Sequence, residues 1–572
     1  MIIPEKSWRI LDKTHKKGLY IVLFLGLFSA VLEFIGIGLL IPSIMLILDY
    51  DFQSNDILSK YLTQKNLNFF ENNKFIFFYL LGSIYILKNL YLIWLNKVQV
   101  DYVEKVRNSA SQKIFRSYLN KLYKFHLDNN PSILFRNASS ETVSFSAYIK
   151  NHIILISEII LISTIFIFLL FFNLKITLSI IFIVCIFSTF YYLIFSKYLK
   201  KWGKLRQDHL GNYYKSFSQA FRLIKEIKMH TKENYFFSKA INSQKLSYKY
   251  DNLTKYLMVV PKILLETIFV IGVIFISILL LNQNYSSNDI ILLLGIYSYA
   301  ALRIIPSVGK ILLSLSDIRY KMPAANLITE ELTNKKNFNI DNKINFFEIN
   351  NLNKKNFKKL DLNKINFFYS DENKPIIKNL NFSVSTGEIL GVFGPSGSGK
   401  TTFLNIICGL LEPNSGLISY NDMELNYKKY TWRSLFGYIP QDVELIDENI
   451  KKNIALGVDE NEINFDRLNY TIQLSKLDMF INQLPNKYDS LIGESGSRIS
   501  GGQKQRLGIA RALYLKPEIL IFDEGTNSLD KDTERKIFDD LLAINANNNQ
   551  TIIIVSHEIE LLKKYTQRIV YI

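Results

Sequence analysis

The chain has 572 residues, a formal net charge of +17 and 48% hydrophobic residues, a length that calls for at least two domains. Its positive surplus sits mostly between apolar stretches, with no Arg-rich or aromatic-interleaved recognition segment, which excludes nucleic acid as the partner class. Cys185 and Cys408 lie in environments too different to pair, so neither a disulfide framework nor a cysteine metal site is expected.

At the N-terminus, Lys6, Arg9, Lys13, Lys16 and Lys17 precede an apolar run from Gly18 to Leu48. That run is too long for a cleaved leader and reads as a first membrane span with a cytoplasmic basic flank. Six spans are predicted, at 18–48, 75–95, 153–172, 176–195, 263–281 and 290–320, each near the length of about 20 residues that crosses a bilayer. Between spans one and two, Ile57, Leu58, Tyr61 and Leu62 share one helical face of a segment covering 55–70. Such a helix lies at the outer membrane surface, where it holds a lipid tail or simply connects the spans.

Lys97, Lys105, Arg107 and Lys113 follow span two, and Lys197, Lys200, Lys201 and Lys204 follow span four. The connections after spans three and five are short and nearly free of basic residues, so the long loops and both termini are assigned to the cytoplasm. Residues 103–125 and 210–227 mix apolar and basic residues at helical spacing. Spans two to five are therefore expected to continue as helices beyond the bilayer, the alternative being basic surfaces laid on anionic lipid. Lys88 within span two, Arg303 within span six and Lys262 at the entrance of span five are costly to bury. They form either a basic interior for an anionic substrate or ion pairs with Glu33, Glu158 or Glu266.

From Met322 to about Lys355 the sequence turns polar and rich in Asn and Lys, as a hinge would. The resulting division is 1–321 for the membrane part, 322–355 for the linker and 356–572 for a soluble α/β part. In that last part a strand-like run, Glu388 to Phe393, enters Gly394-Pro395-Ser396-Gly397-Ser398-Gly399-Lys400-Thr401-Thr402, after which a helix is expected. Strand, glycine loop and helix N-terminus make a phosphate loop, because the glycines let backbone N–H groups converge on phosphate. Lys400 would neutralise β- and γ-phosphate oxygens of ATP, and Thr401 would offer its hydroxyl to Mg²⁺. Downstream, the apolar Ile519 to Phe522 ends in Asp523-Glu524. This is a buried strand delivering one carboxylate to a metal and a second, as general base, to an attacking water.

With these stand Gln441, the run Ile499-Ser500-Gly501-Gly502-Gln503 and His557. The set from residue 356 onward resembles the nucleotide-binding domain of ATP-binding cassette transporters, and Ile499 to Gln503 resembles that family's signature motif. The resemblance implies a stacking role on adenine for Tyr369 and contact with Mg²⁺ for Gln441. It implies a dimer-contact loop around Asp530 and a γ-phosphate contact for His557. It also implies that two cassettes close head to tail, with Ser500 and Gly502 of one facing the Lys400 loop of the other, and hence a homodimer.

Departures from the family pattern are Ile499, Gly525, Asn527-Ser528 and Ser495, none of which removes a catalytic group. The order of membrane part and cassette resembles the exporter branch. Leu32-Glu33-Phe34, Val260-Pro261-Lys262-Ile263, Ala301-Leu302-Arg303 and Asp523-Glu524-Gly525-Thr526 are similar to bacterial flippases of lipid-linked oligosaccharides of the PglK type. An all-α six-helix transmembrane domain fused to an α/β cassette is the fold expected, in the inner membrane. The expected activity is ATP-driven export or flipping of an amphipathic lipid-linked substrate; an exporter of drugs or peptides is the alternative. A non-transport cassette ATPase does not accommodate the six spans.

Overall fold

The computed structural model describes residues 4–47, 74–171, 173–282, 287–333, 357–369, 375–421, 423–424, 430–524 and 530–572. The expected surface helix at 55–70 and the linker from 334 to 356 fall outside them. The chain divides into a helical unit, residues 1–121 and 126–338, and a second unit, residues 339–572 with 122–125.

Among the described residues, six long helices build the first unit: α1 (Lys13–Ile47), α2 (Lys74–Leu119), α3 (Thr142–Leu170), α4 (Leu174–Arg222), α5 (Glu233–Asn282) and α6 (Ser287–Thr333). Over the described residues, five helical stretches are long and apolar enough to cross a bilayer, those of α1 to α5. The sixth expected span falls on α6. Helices α2, α4 and α5 run 46, 49 and 50 residues, about 70 Å each at 1.5 Å per residue and well beyond the thickness of a hydrocarbon core.

Beyond the apolar stretches the helices are joined by polar contacts. Glu141, fully buried in a π-helical turn before α3, accepts from Gln207 Nε2 at 3.0 Å and pairs with Arg206 at 3.3 Å. The Tyr320 hydroxyl donates to Asp251, tying α6 to α5. Gly203 lets α4 approach α6 closely, since a Cβ there would lie 1.9 Å from the Tyr320 carbonyl oxygen.

One expectation is corrected. The connector does not begin at Met322, because α6 continues to Thr333. Tyr320, Ala324 and Ile328 recur every fourth residue and are buried with Ala325 and Thr329. This helical stripe was hidden by the polar residues between them.

The second unit contains two sheets. A four-stranded antiparallel sheet has the order β2-β1-β4-β5, from β1 (Lys359–Phe367), β2 (Ile377–Ser385), β4 (Ser415–Tyr420) and β5 (Met423–Glu424). A five-stranded sheet has the order β6-β7-β8-β3-β9, from β3 (Ile389–Phe393), β6 (Phe436–Ile439), β7 (Ile519–Asp523), β8 (Thr551–Ser556) and β9 (Arg568–Tyr571), each neighbouring pair parallel. Strands β7 and β8 are buried at every position, as near-continuous apolar runs in a sheet covered on both faces must be. The cassette helices that matter here are α7 (Lys400–Ile407), α8 (Gly501–Tyr514) and α9 (Lys531–Asn548). Phe403, Leu404 and Ile407 of α7 share a core with Leu362, Phe382 and Ile521 of the two sheets, which seats the start of α7 at the end of β3.

Candidate nucleotide site

The strand order decides what meets at the site. In a parallel sheet all strands end on the same side, and ligands bind beyond those carboxyl ends. Register pairs Phe393 with Ser556, Asp523 with Val555 and Ile439 with Phe522. The loop after β3, Gln441 two residues beyond β6, Glu524 after β7 and His557 after β8 therefore emerge along one edge.

From β3 the chain passes through Gly394, Pro395, Ser396, Gly397, Ser398 and Gly399 into α7, whose first residues are Lys400, Thr401 and Thr402. Gly399 caps α7 with φ of +99°, a left-handed conformation costly for any residue with a Cβ. The Lys400 ammonium, 8% exposed, donates to the carbonyls of Gly394 at 2.7 Å and Pro395 at 3.1 Å. Ser398 Oγ is buried and has no hydrogen-bond partner among the described residues. A cation held inside a loop at a helix N-terminus, beside a buried polar atom awaiting a partner, fits a bound phosphate.

Glu524 is the centre of the cluster. Gln441 Nε2 donates to its Oε2 at 2.9 Å, while Lys400 Nζ lies 3.9 Å and His557 Nδ1 3.5 Å from its Oε1. Glu524 has φ of +50°, and its N–H donates to the Val555 carbonyl at 3.0 Å. A glutamate held in the left-handed region carries strain of the kind that collects at functional sites. Asp523, one residue earlier, is 7% exposed, and burial pushes its carboxyl above the usual range despite a 2.7 Å hydrogen bond donated by the Tyr438 hydroxyl. A buried carboxylate with little solvation of its own, one residue from Glu524, suits a divalent cation, and Thr401 and Gln441 could complete its oxygen ligands.

Tyr438 was missed by sequence reasoning. It lies three residues before Gln441 on β6, opposite Ile521 of β7, a register that only the folded sheet supplies. Tyr369, expected on adenine, lies half-buried beside the loop, its hydroxyl 3.4 Å from Thr402 Oγ1 and its ring edge-on to Phe367 at 5.0 Å.

Ser500, Gly501, Gly502 and Gln503 sit on a different element. Ser500 caps α8 reciprocally with Gln503: Gln503 N–H donates to Ser500 Oγ at 3.3 Å and Ser500 N–H to Gln503 Oε1 at 2.9 Å. The exposed Ser500 and Gly501 leave the end of a 14-residue helix open to solvent. Asp530 caps α9 by accepting from Thr533 N–H at 2.9 Å, which holds its carboxyl below the usual range.

The three candidate cations of the membrane part separate. Glu33 Oε2 accepts from Lys88 Nζ at 3.1 Å and its Oε1 pairs with Arg303 at 3.2 Å, so one carboxylate of α1 joins α2 and α6. Glu33 and Lys88 are buried, whereas the Arg303 side chain is 37% exposed. The Lys88 ammonium also lies 4.2 Å over the Tyr85 ring, and the Tyr85 hydroxyl bonds that of Tyr299 at 2.8 Å. Glu158 pairs with Lys310 at 2.7 Å. Lys262 is exposed on α5 and is not brought into the cluster, a correction to the grouping expected from charge alone, which ignores the helical face each residue occupies.

Comparison with known proteins places this geometry. Residues 377–527 match the ABC transporter family model. The chain is 40% identical over 201 residues, 35% of its length, to "Multidrug resistance-like ATP-binding protein MdlA" of Buchnera aphidicola subsp. Baizongia pistaciae, covering 34% of that protein. It is 34% identical over 201 residues, 35% of its length, to "ATP-dependent lipid A-core flippase" of Ralstonia nicotianae, again covering 34% of the relative. These matches span about a third of the curated relatives' length. Over 98% of this chain and 93% of the other, the structure superposes on a bacterial Atm1-family ABC exporter with ATP bound, with a TM-score of 0.77 and 18% identity. The fold is therefore that of an ABC exporter: a helical transmembrane domain fused to a C-terminal ABC nucleotide-binding domain.

Proposed function

We propose that the protein is an ATP-driven half-transporter that works as a homodimer and exports or flips an amphipathic, diphosphate-linked lipid across the bacterial inner membrane. The observation that carries the ATPase reading is the convergence of Lys400, Gln441 and His557 on the strained Glu524 at one end of the parallel sheet.

In this reading the loop from Gly394 to Thr402 holds the phosphates, with Lys400 turning from its carbonyl partners to phosphate oxygens. Tyr369 lies against the base. Glu524 accepts a proton from the attacking water while Gln441 and His557 orient it. Thr401, Gln441 and Asp523 would hold Mg²⁺, which would supply charge neutralisation at the phosphate oxygens. Ser500, Gly501, Gly502 and Gln503 present the open N-terminus of α8 to the nucleotide of a second copy, and Asp530 lines that contact. The substrate part rests on Lys88 and Arg303, two cations sharing the single carboxylate of Glu33. A diphosphate can compete with Glu33 for both, and Lys262 stands at the entrance of span five.

ATP hydrolysis by the protein in liposomes tests both parts. A polyprenyl-diphosphate glycan is expected to stimulate hydrolysis where apolar drugs do not, and Lys88→Ala with Arg303→Ala is expected to abolish that stimulation. Stimulation by apolar drugs alone would move the assignment to drug export. Absence of hydrolysis in every condition would remove the ATPase reading itself.

A further inference from the structure

Tyr438 is a polar side chain to which the chemistry assigned to the nucleotide site gives no part. It stands on β6 opposite Ile521 of β7, and the next pair along, Ile439 and Phe522, turns to the other side of the sheet. The packing follows this alternation. Ile521 shares a core with Phe403 and Ile407 of α7, and Tyr438 packs against that core, whereas Ile439 and Phe522 belong to a separate one. Asp523 lies two residues beyond Ile521 and therefore projects to the α7 side with Tyr438. On adjacent strands such diagonal neighbours stand roughly 8 Å apart at Cα, beyond a serine or threonine hydroxyl and within reach of a tyrosine. The Tyr438 hydroxyl closes the gap with its 2.7 Å hydrogen bond to Asp523 Oδ2.

That bond does more than satisfy a buried oxygen. No other donor reaches the Asp523 carboxylate among the described residues, and at 7% exposure the residue has little water around it. Oδ2 is tied to β6, so the carboxylate is kept from turning and Oδ1 is the oxygen left to bind. Burial pushes the Tyr438 phenol above its usual range, so it remains a donor at neutral pH. Mg²⁺ demands near-ideal octahedral geometry, and a carboxylate that holds a metal depends on the hydrogen bond behind it: losing such a bond typically costs about 10–100-fold in metal affinity. The same strand end continues into Gln441, which bonds Glu524. Both carboxylates at the end of β7 are thus held from β6, one through Tyr438 and the other through Gln441.

We propose that Tyr438 is a positioning residue of the nucleotide site, holding the Asp523 carboxylate so that Oδ1 is presented to the Mg²⁺ that accompanies ATP. This role rests on the ATPase reading and is exerted only through Asp523. The test is binding of a fluorescent ATP analogue to the full chain in detergent, measured once in EDTA and once in excess Mg²⁺. Wild-type protein is expected to bind more tightly in Mg²⁺. Tyr438→Phe keeps the ring and removes the hydroxyl; it is expected to bind about tenfold more weakly than the wild type in Mg²⁺ and equally well in EDTA. In an Asp523→Asn background the same substitution is expected to add no further loss, since the two residues act as one unit. A tyrosine that merely supported β6 would weaken binding alike in EDTA and in Mg²⁺. That result, an unchanged affinity of Tyr438→Phe in Mg²⁺, or an added loss in the Asp523→Asn background would each overturn the proposal and leave the ATPase reading standing. Absence of any Mg²⁺ effect in the wild type would overturn both.

Discussion

The nucleotide cluster and the membrane cluster are built on the same plan, one carboxylate gathering several polar or cationic partners, yet they are held in opposite ways. Glu524 is fixed by backbone: it follows the buried β7, sits at φ of +50° and meets Lys400, Gln441 and His557 because neighbouring parallel strands end together. Glu33 is fixed by side-chain packing alone, 3% exposed, with partners on two other helices. The first carboxylate can lose its charge without disturbing the sheet that carries it. The second cannot, since its charge is what permits Lys88 to be buried.

Four experiments break or sharpen this contrast. Glu524→Gln is expected to lower ATP hydrolysis by about 10²–10⁴-fold, the usual worth of a general base, while nucleotide still binds. A normal rate in that variant would remove Glu524 from the chemistry. Glu33→Gln should instead show itself in stability, costing about 3–5 kcal/mol because Lys88 is left buried beside an uncharged partner. An unchanged thermal unfolding temperature in detergent would mean that Lys88 finds another counter-charge.

Ser500→Ala removes one half of a reciprocal cap and is expected to cost about 1 kcal/mol, read as faster amide exchange at Gly501 to Gln503 than elsewhere in α8. The smallest effect concerns pH. Burial holds the Asp523 carboxyl above its usual range, so the folded protein favours its protonated form. Its contribution is most favourable below the ordinary Asp value and falls as pH rises through the raised one. Asp523→Asn should flatten that part of the stability profile in urea titrations without Mg²⁺ or nucleotide. A profile as steep as the wild type's would place the titration elsewhere.

The nucleotide cluster was legible because most of its parts are contiguous motifs. Gly394 to Thr402 reads as strand, turn and helix start without any long-range information, and Ser500 with Gln503 three residues later is a capping pattern visible in the letters themselves. Tyr438 was not legible as a partner of Asp523, because 85 residues separate them and only the register of β6 on β7 aligns the two. The membrane cations were visible as costly charges. Which of them meet was not, and Lys262 was grouped with Lys88 and Arg303 on charge alone. The end of α6 was misjudged for a related reason: polar residues such as Lys321 and Asn326 interrupt the buried stripe of Tyr320, Ala324, Ala325, Ile328 and Thr329 and mask its helical spacing.

By itself the sequence determined the two-part architecture, the apolar lengths of the membrane helices and the local chemistry of the phosphate loop. Each of these follows from short-range pattern: hydrophobic run length, helix capping and glycine backbone freedom. Tertiary structure alone decided that Glu33 stands between Lys88 and Arg303 and that Tyr438 steadies Asp523. Those depend on which faces of distant helices and strands are turned toward one another, and that is set by the packing of the whole unit rather than by any stretch of letters.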